Sequence, residues 1–176
     1  DINDRQIAFY LRNDSVNTLL YEGMQLDINV LDAERERITR LLQNNGYFRF
    51  NKEFLTYTAD TIRNTYKVDL TLHLHPYNAF SPERSSKHSQ HYLNQISFIT
   101  DFDLLQSSAL GSININDSIH YKGYPIYYKD KLPFRPSVLT ENLRLSKGKL
   151  YNEKEVQETY ANFGRLSALK YTNIHF

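Results

Sequence analysis

The sequence contains no cysteine and no tryptophan, only one methionine, and no long apolar run. The absence of cysteine excludes a disulfide framework and any thiolate site. No run approaches the roughly 18 apolar residues of a membrane helix, so no such helix is predicted in this chain. Lysine and arginine total 21 against 20 acidic residues, with the signs interleaved. Nucleic acids and anionic membranes require a concentrated basic field, so the charge balance indicates neither partner.

Sequence motifs of common enzyme classes are also missing. The chain has no G-x-S-x-G turn, no glycine-rich phosphate loop and no H-E-x-x-H zinc motif. His73 and His75 have a strand spacing that a metal ion could bridge, but no third ligand is evident nearby. Their alternation with leucines is typical of the solvent face of a strand. We therefore predict a protein without catalytic residues, cofactor or metal.

The size and composition indicate a globular chain with small cores. At 176 residues, with 40% hydrophobic and 23% charged residues, it can hold one medium domain or two small ones. Two small domains would each bury only a modest core. With one methionine and no tryptophan, the 14 tyrosines and 10 phenylalanines are expected to fill these cores.

One pattern occurs twice, at an offset of about 125 residues. In both copies a glycine precedes a capped amphipathic helix, and the helix precedes an alternating stretch. The first copy runs from Gly23 to Phe50 and the second from Gly148 to Phe176. Matching positions in the two copies are Asp27 with Asn152, Leu31 with Val156, and Ile38 with Phe163. Repeats of one supersecondary unit are typical of modular arrays, which more often bind than catalyse.

The strongest predicted helix covers residues 28–42. Asn29 followed by Asp32 resembles a capping box, and Asn45-Gly46 supplies the stop signal. The helical stripe, with one polar member, consists of Ile28, Leu31, Arg35, Ile38 and Leu42. A second long helix is predicted after Asn152, and shorter helices are predicted over residues 4–11, 15–23 and 136–148.

After Gly46 the apolar period changes from about 3.6 to 2, which predicts strands. Phe48 and Phe50 alternate with polar residues, and four apolar residues alternate with polar ones between Val68 and Leu74. Strands are therefore predicted over residues 47–55, 68–74, 92–100 and 124–128, with a further strand beginning at 171–176.

The resulting order is strand, helix, helix, strand, strand, with a glycine before the second helix. This order resembles the POTRA repeat of BamA-like outer-membrane protein assembly factors, the surface antigen family. In the first copy the resemblance lies in residues 31–42, 45–52, 59–61 and 68–72. In the second copy it lies in residues 135–136, 148–152, 159–160, 164–166 and 173–176.

The resemblance implies an α+β protein of tandem POTRA-like units (β-α-α-β-β), each with two helices packed on a small three-stranded mixed sheet. Residues 1–77 would form a first repeat that lacks its first strand, and residues 78–91 a linker. Residues 92–176 would form a second repeat that lacks its last strand. This second repeat would carry an insertion around 101–133, where the resemblance is weak.

The resemblance also implies a non-enzymatic function in the periplasm. The chain would belong to a protein anchored in the outer membrane through a barrel that is absent from this chain. In that family POTRA repeats bind unfolded outer-membrane proteins and accessory lipoproteins, and an exposed sheet edge can accept an incoming strand. The alternatives are a cell-envelope structural or translocation module that uses the repeats as a spacer, and an enzyme built on a small α+β sheet.

The predicted protein-binding edge is the first strand after the long helix. It comprises Tyr47, Phe48, Arg49, Phe50, Asn51, Lys52, Glu53, Phe54 and Leu55. Charges at Arg49 and Lys52 would oppose pairing of the edge with itself and still admit an incoming strand. The ordinary alternative is that both charges lie on the solvated face of a structural strand. A sheet that lacks one strand would also leave an open edge through which the protein could self-associate.

Overall fold

The computed structural model describes residues 2, 4–62, 65–77, 87–100, 115–169 and 171–176. Within these residues the fold is α+β, with four α-helices and two small sheets. None of the helices in the described part of the chain is long and apolar enough to span a membrane.

The chain divides into two compact units. The first comprises Asp1–His91 together with Leu150–Glu153, and the second comprises Tyr92–Lys149 together with Lys154–Phe176. Residues 78–86 of the predicted linker and 101–114 of the predicted insertion lie outside the described residues. The predicted repeat boundaries stay a prediction.

The first unit consists of two helices followed by a β-hairpin. Its elements are α1 (Arg5–Asn13), α2 (Ile28–Gln43), β1 (Leu55–Thr61) and β2 (Val68–Leu74). β1 and β2 pair antiparallel in a two-stranded sheet, from Leu55 opposite Leu74 to Thr61 opposite Val68. The helices predicted over 4–11 and 28–42 and the strand predicted over 68–74 are present, whereas the first strand begins at Leu55 and not at residue 47.

The long helix α2 is confirmed, but a different residue caps it. Asp27 is the N-cap, and its carboxylate accepts the backbone N–H of Asn29 at 2.8 Å. The predicted box of Asn29 and Asp32 is therefore wrong, because the helix already begins at Ile28. The buried face of α2 packs into a core that consists of Ile7, Ile38, Leu42, Tyr47, Phe50 and Leu55.

The second unit consists of a mixed sheet followed by two helices. Its elements are β3 (Phe98–Ile99), β4 (Asp117–Tyr121), β5 (Tyr124–Tyr128), α3 (Pro136–Asn142) and α4 (Glu153–Gly164), whose first residue is assigned to the first unit. The central strand β5 pairs parallel with β3 and antiparallel with β4. Ile126, Leu139 and Phe163 form the core between sheet and helices.

Two predicted strands differ from the structure. The strand predicted over 92–100 is reduced to Phe98–Ile99, and the described residues 171–176 form no strand. Near the end of the chain the Ile174 N–H donates to the Tyr160 hydroxyl at 2.8 Å. A side chain of α4 therefore takes the backbone donor that a sheet would need.

The helix predicted over 15–23 is wrong, and the helix predicted over 136–148 is shorter than expected, for the same physical reason. The segment after α1 forms only a single 3-10 turn at Ser15–Asn17, and Thr18 is extended. Helix α3 ends at Asn142, and Leu143 is extended. In each case the residue after the extended one donates its backbone N–H to a side chain of the following long helix, and not to a carbonyl of the short helix.

These side-chain acceptors are Glu34 on α2 and Thr159 on α4. Among the described residues they are the two buried polar side chains, 3% and 0% exposed. Leu19 N–H donates to Glu34 Oε2 at 3.0 Å, and Arg144 N–H donates to Thr159 Oγ1 at 3.1 Å. Donor and acceptor are separated by 15 residues in both units. Each contact fixes the segment between a short and a long helix.

Glu34 carries a charge into this position, and Arg37 neutralises it. Arg37 donates to both carboxylate oxygens at 2.8 Å and also pairs with Asp14, while the Thr18 hydroxyl donates to Glu34 Oε1 at 2.8 Å. Burial alone would raise the pKa of Glu34. The bonds from Arg37, Leu19 and Thr18 outweigh burial and hold the pKa below its ordinary value of 4.5.

Replacing Glu34 by glutamine should destabilise the protein in a pH-dependent way. We expect Glu34→Gln to lower the free energy of unfolding at neutral pH by about 1–3 kcal/mol, since a buried Arg37 bond is lost. Because folding lowers the Glu34 pKa, its stabilising effect is complete above pH 4.5 and is lost as the pH falls through the folded-state pKa. Urea unfolding at a series of pH values measures the difference.

The control is Glu36→Gln, which changes a carboxylate of the same helix whose side chain is 46% exposed. It should cost no more than about 1 kcal/mol, as for other exposed ion pairs. A Glu34→Gln deficit that stays constant from neutral to acid pH would contradict the assigned role of the carboxylate.

Two glycines with similar backbones should respond differently to alanine. Gly23 (φ +83°) has open space where a Cβ would lie, whereas a Cβ on Gly46 (φ +95°) would lie 2.8 Å from Leu150 Cδ2. Gly23→Ala should cost about 1–2 kcal/mol from the left-handed backbone alone. Gly46→Ala should cost about 2–3 kcal/mol, because the end of the Leu150 side chain must also move and Gln90 Cβ lies 3.3 Å away. Equal losses in thermal or urea unfolding would disprove the packing contribution.

Candidate strand-docking edge

The structure places the predicted docking residues 47–55 in a loop that leads into β1. Phe48 and Arg49 lie in a turn, Lys52–Phe54 forms a 3-10 turn, and only Leu55 belongs to the strand. The inward residues Tyr47 and Phe50 are three positions apart, whereas a strand places inward residues two apart. The strand prediction for 47–54 is wrong, and the binding role predicted for this segment stays a prediction.

Local hydrogen bonds occupy the backbone of this loop. Gln43 Nε2 donates to the Phe50 carbonyl at 2.8 Å. Arg35 donates to the Lys52 carbonyl at 2.9 Å and to the Leu55 carbonyl at 2.8 Å. These carbonyls are no longer available to an incoming strand. The sequence marks Arg35 as the polar member of an apolar stripe, but its two carbonyl partners could not be predicted from spacing.

The charges predicted to protect the edge lie elsewhere. Lys52 Nζ pairs with Asp32 at 2.8 Å and with Glu36 at 3.3 Å, so it ties the loop to α2. Arg49 is exposed in the turn before the 3-10 turn. On β1 itself the single charged residue is Asp60.

The outer side of β1 carries the available backbone groups. Two hydrogen bonds fix the register, from His75 N–H to the Phe54 carbonyl at 2.8 Å and from Ile62 N–H to the Lys67 carbonyl at 3.1 Å. Because bonded and non-bonded pairs alternate along an antiparallel ladder, even-numbered residues of β1 bond to β2. The N–H and C=O groups of Tyr57, Ala59 and Thr61 therefore point away from β2.

We call these three residues the β1 edge. Within the described part of the chain, no other strand pairs with β1. Ala59, Asp60 and Thr61 are exposed, and Tyr57 is half-buried. An unpaired row of backbone groups on a short strand is a template for strand addition.

The two faces beside the β1 edge have different chemistry. On one face the Thr56 hydroxyl contacts His75 Nε2 at 2.7 Å, and the Thr58 hydroxyl contacts His73 Nε2 at 2.8 Å. On the other face Leu55 is fully buried in the core of the first unit. An added strand would continue one polar and one apolar surface.

The threonine contacts also account for the two histidines singled out in the sequence. His73 and His75 lie on the polar face of the hairpin with a hydroxyl partner each. Across the described residues, no cluster of three or more histidine, cysteine, aspartate or glutamate side chains could hold a metal ion.

Comparison of the chain with protein-family models, with curated proteins and with solved structures finds no match. Any function must therefore be inferred from the residues and geometry described above.

Hydrogen exchange should show the alternation along β1. The amides of Tyr57, Ala59 and Thr61 should exchange faster than those of Thr58 and Asp60, since only the latter bond to β2. NMR-detected deuterium exchange measures both sets in one experiment. Equal protection of the two sets would mean that the β1 edge is already occupied.

Proposed function

We propose that the chain is a non-enzymatic binding and scaffold segment built from two POTRA-like units. In this proposal it belongs to the periplasmic part of an outer-membrane β-barrel protein assembly factor. Unfolded outer-membrane proteins add a strand to the β1 edge, which replaces residues 47–55 as the docking site. The accessory lipoproteins and the periplasmic location follow from the POTRA resemblance.

The likeness between the two units supports a repeat. Gly23 and Gly148 both have left-handed backbones, with φ of +83° and +80°. A long helix begins five residues after each glycine, at Ile28 and Glu153. The two buried acceptors, Glu34 and Thr159, are separated by the same number of residues as the two glycines. A repeated structural unit explains these three shared features better than two unrelated folds do.

The free β1 edge is the observation that carries the binding proposal. A POTRA-like unit has three strands, and the first unit has two in the described residues. The outward groups of Tyr57, Ala59 and Thr61 mark where a third strand would pair. Main-chain hydrogen bonds tolerate many sequences, which suits a partner that must accept varied clients.

The chemistry of the two faces favours a particular kind of client. Strands of membrane barrels alternate apolar and polar residues. Added to the β1 edge, such a strand would place its apolar residues beside Leu55 and Tyr57. Its polar residues would lie beside Thr56 and Thr58. Both surfaces of the hairpin would then continue without burying an unpaired polar group.

A peptide titration tests the proposal. A peptide of alternating apolar and polar residues taken from a barrel strand should shift the amide signals of Tyr57, Ala59 and Thr61. Ala59→Pro removes an outward N–H without breaking the bonds to β2, because residue 59 does not donate to β2. We expect Ala59→Pro to weaken binding by about tenfold, the effect of losing one well-formed hydrogen bond.

Ala59→Val is the matched control, since it retains the N–H and suits a strand. It should bind the peptide as the wild type does. A peptide that leaves the β1 edge unshifted would favour the spacer function and overturn the docking proposal. Light scattering at increasing protein concentration separates peptide docking from self-association through the same edge.

A further inference from the structure

We propose that the first unit carries a second binding site, a cavity that accepts a small aromatic monocarboxylate. The cavity has a volume of about 150 Å³. It is separate from the β1 edge and is lined by Tyr47, Arg49, Phe50, Tyr77, Lys87, His88, Ser89 and His91.

The size and the aromatic lining suit one planar ring. An apolar cavity of about 150 Å³ in another protein holds a benzene molecule. Tyr47 and Phe50 are each 2% exposed and belong to the core, so this part of the wall is rigid. Phe50 and His88 already pack as tilted rings 4.9 Å apart. An additional ring could join this array in an edge-to-face arrangement.

The charged side chains among the described residues that line the cavity have one sign. They are Arg49 and Lys87, and none of the described lining residues is a carboxylate. In the described part of the chain neither cation has an ion-pair partner, whereas Arg35, Arg37 and Lys52 of the same unit all pair with carboxylates. A bound anion would supply the missing partner, and a guanidinium can bind a carboxylate with two parallel hydrogen bonds.

The histidines add polar groups with defined roles. His88 Nε2 lies 2.8 Å from the His75 carbonyl, which can only accept, so this nitrogen carries the hydrogen and the ring is fixed. His91 Nδ1 is buried and has no hydrogen-bond partner among the described residues. Because this nitrogen is covered by protein atoms, its lack of a partner is a cost to the folded protein and does not contribute to the ligand contact.

Together these groups favour one class of ligand. A bare inorganic anion would leave the aromatic walls unfilled, and a neutral ring would leave Arg49 and Lys87 unpaired. A ring that bears one carboxylate satisfies both. The binding involves no covalent step.

Titration with sodium benzoate, followed by amide NMR of the whole chain, tests the site. Benzoate should shift the signals of Arg49, Ser89 and His91. Benzyl alcohol, which has the ring without the charge, and inorganic phosphate, which has charge without the ring, should each bind at least about tenfold more weakly, since each loses one class of contact.

Arg49→Gln should weaken benzoate binding by about tenfold, because one charge-assisted contact is lost. Arg49 is exposed, so this variant should fold, and an unchanged amide spectrum outside the cavity verifies it. Arg12→Gln, an exposed arginine at the end of α1, is the matched control and should bind as the wild type does. Binding of phosphate or benzyl alcohol as strong as that of benzoate, or equal binding by Arg49→Gln, would overturn the proposal.

Discussion

The arrangement of each unit depends on one hydrogen bond, made between a backbone N–H and a polar side chain inside the protein. Leu19 and Arg144 are the donors, and Glu34 and Thr159 are the acceptors. The bond stops a short helix and turns the chain toward the long helix, whose apolar face then fills the core. Because both acceptor side chains are buried, leaving either of them unpaired would cost more than the bond itself contributes.

The side chain that accepts this hydrogen bond differs chemically between the two units. Thr159 is neutral and completes its own bonding by donating to the Glu155 carbonyl at 2.7 Å, inside the helix. Glu34 is charged and needs Arg37, with Thr18 as a further donor. The first unit thereby gains a network that connects α2 to the segment after α1. The network also buries the Glu34 carboxylate, and loss of one partner would leave this charge incompletely paired and destabilise the fold.

Long, regular periods could be predicted from the sequence, and local competition between hydrogen bonds could not. Helix α2 and strand β2 carry four or more apolar residues at a constant period, so their positions were predictable. The loop 47–54 also shows alternating aromatics, yet Gln43 and Arg35 bond its carbonyls and produce turns instead. The strand predicted over residues 47–54 is absent for this reason, and the binding role predicted for them stays a prediction. The β1 edge follows from the ladder register of the hairpin, which sequence spacing does not reveal.

The first unit is not a continuous stretch of chain, because it includes Leu150–Glu153. Tyr151 packs against Phe48 with ring centroids 5.0 Å apart, and Asn152 donates to the Asn44 carbonyl at 3.0 Å. A shortened chain that ended at residue 91 would lose these contacts and uncover an aromatic surface beside Gly46. Part of the surface of the N-terminal half is therefore covered by a segment that is synthesised much later. The final packing of this half can form only after that segment has left the ribosome.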